Sequence, residues 1–308
     1  MEITRDPDVL RGYAAPVAAI GNFDGVHAGH QAILRTAINE ARAVQGSAFA
    51  LTFDPMPPKV LAPERAPKLI LTPEDKVELL RGTGLDAVLV LEFTLPLSRL
   101  TPREFAQEYL VKRIGVRAVV VGHSVSFGYR RAGNAQVMAE LGRQLGFNTR
   151  IVGPVTVEGI EASSTKIREL IAEGDLITAA KLLGRSHFLR GPVVHGRERG
   201  RTIGFPTANI QSRTELLPPD GVYATRIVLP DGSAHGSITN IGMRPTFAEP
   251  ERTIEAHIFN FGQDIYDQDV KLELIERIRP EKKFESGAAL AAQIASDVTR
   301  AKSIVGAA

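Results

Sequence analysis

The hydrophobic pattern of the chain changes character near residue 184. From Pro16 to Gly184, short apolar runs alternate with amphipathic segments. VAAIGNF, FALTF, AVLVLEF and AVVVG are largely apolar runs of strand length and read as buried strands. Between them, AGHQAILRTAINEARAVQG, PEDKVELLRGTG, PREFAQEYLVKRIG and NAQVMAELGRQLG repeat apolar residues at helical spacing. This alternation predicts a parallel sheet with helices packed on it. Two helix starts are marked chemically. Thr101-Pro102-Arg103-Glu104 supplies a hydroxyl cap, a first-turn proline and an acid three residues after the cap. Thr72-Pro73-Glu74-Asp75 repeats the plan with Asp in the last place.

After Gly184, FLRGPVVHG, GVYATRIVLP, GSAHGSITNIG, RTIEAHIFNF and VKLELIERIR are strand-like, with turns between them. Asp231-Gly232 within LPDGSAHG supplies hairpin-turn chemistry. GAALAAQIASDVTRAKSIV reads as one terminal helix. The second half is therefore expected to be a small β-barrel followed by a helix. The boundary is placed near Gly184–Ser186, giving domains 1–184 and 185–308.

A length of 308 residues suits two domains, and 44% apolar with 23% charged residues suits globular cores. A net charge of +2 without a dense Lys/Arg run argues against a nucleic-acid partner. The lack of cysteine excludes disulfides, thiolate zinc sites and cysteine nucleophiles. The N-terminal MEITRDPDVLRGYAAP carries acids and a proline where a signal peptide needs an apolar run. No stretch approaches the ~20 apolar residues of a membrane span. The chain reads as soluble and cytoplasmic, without a membrane partner; a homo-oligomer is left open.

Gly21 to His30 read GNFDGVHAGH, at the junction where an apolar strand gives way to a helix near Ala28. Ligands of parallel sheets bind at this edge, and free helix amides attract anions there. The turn Gly21, Phe23, Asp24, Gly25 is the candidate nucleotide cradle. His27 and His30, three apart, share a helix face and can donate to phosphate oxygens as charge grows on a leaving group. A glycine-rich turn with two surface histidines is the plainer alternative. The partner string is Ser163-Ser164-Thr165-Lys166-Ile167-Arg168, opening KIRELIAEG. Serine there caps a helix well. Lys166 and Arg168, however, lie where the helix dipole disfavours cations, a conflict that a bound triphosphate would reverse.

A second constellation lies in GPVVHGRERGRTIGFPTANI. Gly196 and Gly200, with Arg199 and Arg201, can wrap an anion. Thr207 and Asn209 are two apart, so in an extended segment they share a face and offer oxygen ligands suited to Mg2+. An Asx or Ser/Thr turn is the alternative. In RTIEAHIFNF, Ile254, Ala256 and Ile258 occupy one strand face, Glu255 and His257 the other. Glu255 is a candidate base or simply a solvent-facing carboxylate.

The HAGH and SSTKIR strings resemble the HxGH and SSTxIR signatures of the nucleotidyltransferase superfamily. GNFDGVHAGHQ followed by LTFDP resembles the adenylyltransferase half of bacterial bifunctional FAD synthetases. GPVVHGRERGRTIGFPTANI, LPPDGVYATRI, NIGMRPTF, TIEAHIFNF and RPEKKFES resemble the riboflavin kinase module. The resemblance implies a Rossmann-like nucleotidyltransferase domain followed by a six-stranded Greek-key barrel with a terminal helix. It implies phosphorylation of riboflavin to FMN, then adenylylation of FMN to FAD, both from Mg-ATP. It assigns ATP-phosphate binding and catalysis to His27, His30, Ser164, Thr165 and Arg168, Mg-ATP binding to Thr207 and Asn209, and the base to Glu255. Two stretches depart from the pattern. Met56 stands where FDPHP has His, and Ser124 and Val125 replace a polar and an aromatic contact. The rival readings are a riboflavin kinase with a lapsed N-terminal half, and another nucleotidyltransferase, which leaves the PTAN half unexplained.

Overall fold

Apolar runs end where water is excluded from both faces. Val17–Ile20 (β2), Ala48–Phe53 (β3), Ala87–Leu91 (β4) and Ala118–Gly122 (β5) are buried almost throughout. Glu2–Thr4 (β1) and Asn148–Val152 (β6) add the two edges, giving the order β1-β4-β3-β2-β5-β6, with every pair parallel. The edge strands are largely exposed, so no apolar run announces them. Successive strands step one way from β2 to β4 and the other way from β5 to β6. The winding therefore reverses between β2 and β5, the crevice where open α/β sheets bind ligands.

The computed structural model describes residues 1–196, 205–244 and 251–306, and falls into two compact units, Met1–Ser164 and Thr165–Ala308. In the first, Ala28–Ala43 (α1), Pro73–Arg81 (α2), Pro102–Phe105 continuing in π turns through Ala106–Ile114 (α3), and Ala135–Leu145 (α4) join the strands. Both expected N-termini form. The Thr72 hydroxyl accepts from the Asp75 amide, and Thr101 with Glu104 makes a reciprocal capping box. Phe49, Leu51, Leu89, Leu110, Ile114, Val119 and Met138 lie in the core between sheet and helices. A small hairpin, Thr156–Val157 (β7) with Ile160–Glu161 (β8), precedes the seam.

In the second unit, Ser164–Glu173 (α5, whose first residue belongs to the first unit) and Leu176–Leu183 (α6) lead into a closed antiparallel barrel. Its strands are His187–Val194 (β9), Ala208–Ile210 (β10), Gly221–Val228 (β11), Ala234–Arg244 (β12), Glu251–Ile258 (β13) and Asp269–Arg279 (β14). The order is β10-β13-β12-β11-β14-β9, closing back on β10. β14 returns beside β11, the first of three sequential neighbours, which is a Greek key. The expected hairpin joins β11 to β12: Asp231 Oδ1 accepts from the Ser233 amide at 2.8 Å, and Gly232 has φ 86°. The terminal helix Gly287–Val305 (α7) lays Val298, Ala301 and Ile304 on Val222, Ala224, Ile238 and Ile278. Arg279 reaches the buried Asp297 carboxylate at 2.8 Å.

Compactness draws the seam at Ser164/Thr165, ahead of the change in hydrophobic grammar at Gly184–Ser186. Helix α6 packs on β14 and β9, and Gly174 makes room for the Arg277 side chain. Amphipathic helices do not reveal in sequence which sheet they will cover.

His187 is fully buried at the start of β9, its Nε2 3.0 Å from the Leu216 carbonyl. Burial pulls its pKa down from 6.5 to about 4. Between those values the unfolded chain binds a proton that the folded barrel refuses. Stability is therefore present above pH 6.5 and falls as pH drops toward 4, by roughly 3 kcal/mol in total. Melting curves across this window should show the loss. His187→Gln, which keeps a donor for Leu216, should flatten it.

Candidate functional site

The first site begins where β2 ends. Phe23 and Val26 both adopt positive φ, 51° and 42°, although neither is glycine. Such backbone costs on the order of 1–3 kcal/mol per residue and persists only where surroundings enforce it. Here the enforcement is visible. The Phe23 ring is fully buried and meets His30 edge-on at 5.3 Å. The Val26 carbonyl accepts from the Gln31 side chain at 3.1 Å. The strained turn delivers the chain into α1 with His27 as its N-cap.

His27 Nδ1 accepts from the His30 amide, and the two imidazoles stack at 3.7 Å. A nitrogen that accepts carries no proton, so the neutral His27 ring holds its hydrogen on Nε2. Gly29 is needed for close approach: a Cβ there would stand 3.0 Å from the Ala162 carbonyl and 3.1 Å from the His27 ring.

Asp24 is held inside the fold. It is 4% exposed and accepts from the amides of Ile70, at 3.1 and 3.2 Å, and Leu71, at 3.2 Å. Its own carbonyl accepts from the Ser164 hydroxyl at 2.8 Å. Asp24 thus ties the GNFDG turn to the entry of α2 and to the start of SSTKIR. Gly21, Phe23, Asp24, Gly25, His27, His30 and Ser164 are brought together around this turn. Thr165, exposed, and Arg168, half-buried, follow along α5 in the second compact unit.

Two participants escaped the sequence reading. Lys76 on α2 is 8% exposed; its ammonium donates to Thr52 Oγ1 at 3.1 Å and to the Phe53 carbonyl at 3.0 Å. Thr52 in turn donates to the Asn22 carbonyl at 3.0 Å. Burial lowers the Lys76 pKa, and the charges of Asp24 and Asp54 push it back up. The only hint in sequence was a lysine on a helix otherwise read for its cap. Lys76 and Met56 both line a small cleft with Asn22, Asp24, Phe53 and Leu71. Met56 is buried, while Val125 packs at the edge of the sheet core and Ser126 accepts from Arg131 at 3.0 Å.

The second site lies on the barrel. Asn209 on β10 stands directly opposite Glu255 on β13, and Glu255 stands opposite Asn240 on β12. Ile254, Ala256 and Ile258 are buried while Glu255 and His257 are partly exposed, the division expected from alternation. Gly196 backs onto Asn209, and any Cβ at 196 would collide with the Asn209 amide. The Asn209–Glu255 pair needed a register that no sequence spacing shows. Asn240 Nδ2 also donates to Glu281 Oε1 at 3.3 Å, a reach from RPEKKF back to β12 that was likewise invisible. Arg199, Gly200 and Arg201 lie outside the described residues. Among the described residues, no group of three or more His, Cys, Asp or Glu is arranged to hold a metal. Thr207 and Asn209 offer a hydroxyl and an amide oxygen instead, a neutral pair that suits Mg2+ already carrying phosphate oxygens.

A FAD synthetase family profile matches residues 13–166, and a riboflavin kinase profile matches residues 183–305. The bifunctional riboflavin kinase/FMN adenylyltransferase of Escherichia coli (strain K12) is 35% identical, over 94% of this chain and 93% of its own. The protein of that name from Listeria monocytogenes is 39% identical, over 91% and 90%. The chain belongs to the bifunctional riboflavin kinase/FMN adenylyltransferase family. It carries both the FAD synthetase and the riboflavin kinase domains. A solved protein of Streptococcus pneumoniae, described as a macrolide-efflux protein, superposes with a TM-score of 0.87 at 31% identity, covering 97% of this chain and 98% of its own. Among the described residues here, no helix is long and apolar enough to cross a membrane.

Two substitutions probe these geometries. Asp24→Ala strips the acceptor from two buried amides and should cost on the order of 1–3 kcal/mol, read as a lower melting temperature. Gly196→Ala should push Asn209 out of place and lower riboflavin phosphorylation while FMN adenylylation continues.

Proposed function

We propose that the barrel unit phosphorylates riboflavin and that the GNFDGVHAGH site adenylylates the resulting FMN. In the first reaction Glu255 accepts the proton of the riboflavin 5′-hydroxyl. That oxygen attacks the γ-phosphorus of ATP, the bond to the β-phosphate breaks, and ADP leaves. Thr207 and Asn209 would hold Mg2+, which neutralises phosphate charge when bound; Gly196, Arg199, Gly200 and Arg201 would wrap the nucleotide.

In the second reaction an FMN phosphate oxygen attacks the α-phosphorus of a second ATP and pyrophosphate leaves. His27 and His30 donate toward the leaving phosphates at the N-terminus of α1, beside Ser164; Thr165 and Arg168 follow in the SSTKIR string that resembles the phosphate-binding signature. Gly21, Phe23, Asp24 and Gly25 shape the turn that allows this approach. We keep 1–184 and 185–308 as the functional division, because the hydrophobic pattern changes at Gly184–Ser186 and SSTKIR resembles a nucleotidyltransferase signature. Dependence on ATP and the absence of cysteine fit a cytoplasmic enzyme.

The observation that carries the reading is one pair of functional side chains in each compact unit. Asn209 faces Glu255 in one, and His27, stacked on His30, caps α1 at the switch point in the other. Purified protein given riboflavin with Mg-ATP, and separately FMN with Mg-ATP, should yield FMN and FAD from the first and FAD from the second. FMN without FAD, in folded protein, would favour a kinase with a lapsed first half. Asn209→Ala should lower riboflavin phosphorylation about 100-fold and spare FAD formation from FMN; His30→Ala should do the reverse. Loss of both steps in either folded variant would refute separate sites.

A further inference from the structure

His257 sits two residues after Glu255 on the same strand face, and the β10–β13 register points it at the segment that carries Thr207. Ala208 pairs with Ala256 and Asn209 with Glu255, so continuing the ladder places Thr207 opposite His257. The His257 Nδ1 lies 2.8 Å from the Pro206 carbonyl. A carbonyl can only accept, so Nδ1 carries the proton and donates. The imidazole is held between two aromatic edges, with ring centroids 5.4 Å from Phe205 and 6.1 Å from Phe259. Its rotamer is therefore set on both sides.

The Pro206 carbonyl and the Thr207 amide belong to one planar peptide unit. Anchoring the carbonyl fixes that plane, while the Pro206 ring restricts φ on its other side. What remains is the orientation of Thr207 relative to Asn209 and Glu255. We propose that His257 is a positioning residue for phosphoryl transfer: its Nδ1–H locks the Pro206–Thr207 peptide and so aims the Thr207 hydroxyl into the site shared by Asn209 and Glu255. The inference rests on the reading of Thr207 and Asn209 as the Mg-ATP oxygen pair. His257 touches neither nucleotide nor flavin in this role. It acts as outer partners of a metal site do, through the residue it holds.

The imidazole supplies a test that separates this role from general bulk or stability. The side-chain nitrogen of Asn superposes on Nδ1 of His, and that of Gln on Nε2. Full-length His257→Asn and His257→Gln are compared for riboflavin phosphorylation at varied ATP and varied Mg2+, with FMN adenylylation and melting temperature measured on the same samples. His257→Asn should retain phosphorylation near the parent level. His257→Gln should lower kcat/KM for ATP about 10–100-fold and raise the Mg2+ concentration needed for half-maximal rate. Adenylylation should be unchanged in both. Equal activity of the Asn and Gln variants, whether both high or both low, would overturn the proposal. An Asn209→Ala chain that still phosphorylates riboflavin would instead overturn the reading beneath it.

Discussion

A backbone ladder shifts only by whole residues, and each one-residue slip turns every side chain of a strand to the opposite face. In a closed barrel each strand is registered on both sides at once, so no single strand can slip. That constraint holds the proposed kinase site together. β13 is bound between β10 and β12, which sets Asn209, Glu255 and Asn240 in one row. Ile254, Ala256 and Ile258 are buried on its other face, so a slip would bury Glu255 and expose three apolar residues. Hydrophobic burial of one face thus enforces the chemistry of the other.

The parallel sheet solves the same problem differently. Its strands leave at a common edge, and the loops there lack a ladder to fix them. Asp24 supplies the missing order with a buried carboxylate that satisfies two amides at the entry of α2. Lys76 works from the same helix, holding the end of β3 through Thr52 and the Phe53 carbonyl. Burying an ammonium is unfavourable alone; its two acceptors and the fields of Asp24 and Asp54 offset that cost. The loops after β2 and β3 are stapled to one helix, and the strained φ values at Phe23 and Val26 are tolerated because of it.

Met56 and the Ser124–Ser126 segment depart from the family pattern, and their surroundings show how the fold absorbs them. Met56 is buried beside Lys76 in the cleft at the exit of β3. Val125 is an apolar residue at an apolar edge, and Ser126 has Arg131 as its partner. Met56, Val125 and Ser126 are each accommodated by the neighbours that surround them.

The hydrophobic pattern alone determined the two kinds of sheet, the long helices, both threonine-capped helix starts and the Asp231-Gly232 hairpin. These depend on burial period and on contacts within a few residues, which a sequence displays directly. Motif strings likewise marked His27, His30, Ser164, Asn209 and Glu255. The exposed edges β1 and β6 and the brief β10 were not legible, because their positions are imposed by neighbouring strands rather than by their own composition. The partners of Asp24, Lys76, Glu255 and His257 were not legible either. Each is a contact between residues far apart in the chain, brought together by strand register in the barrel and by the packing of loops and a helix at the edge of the parallel sheet.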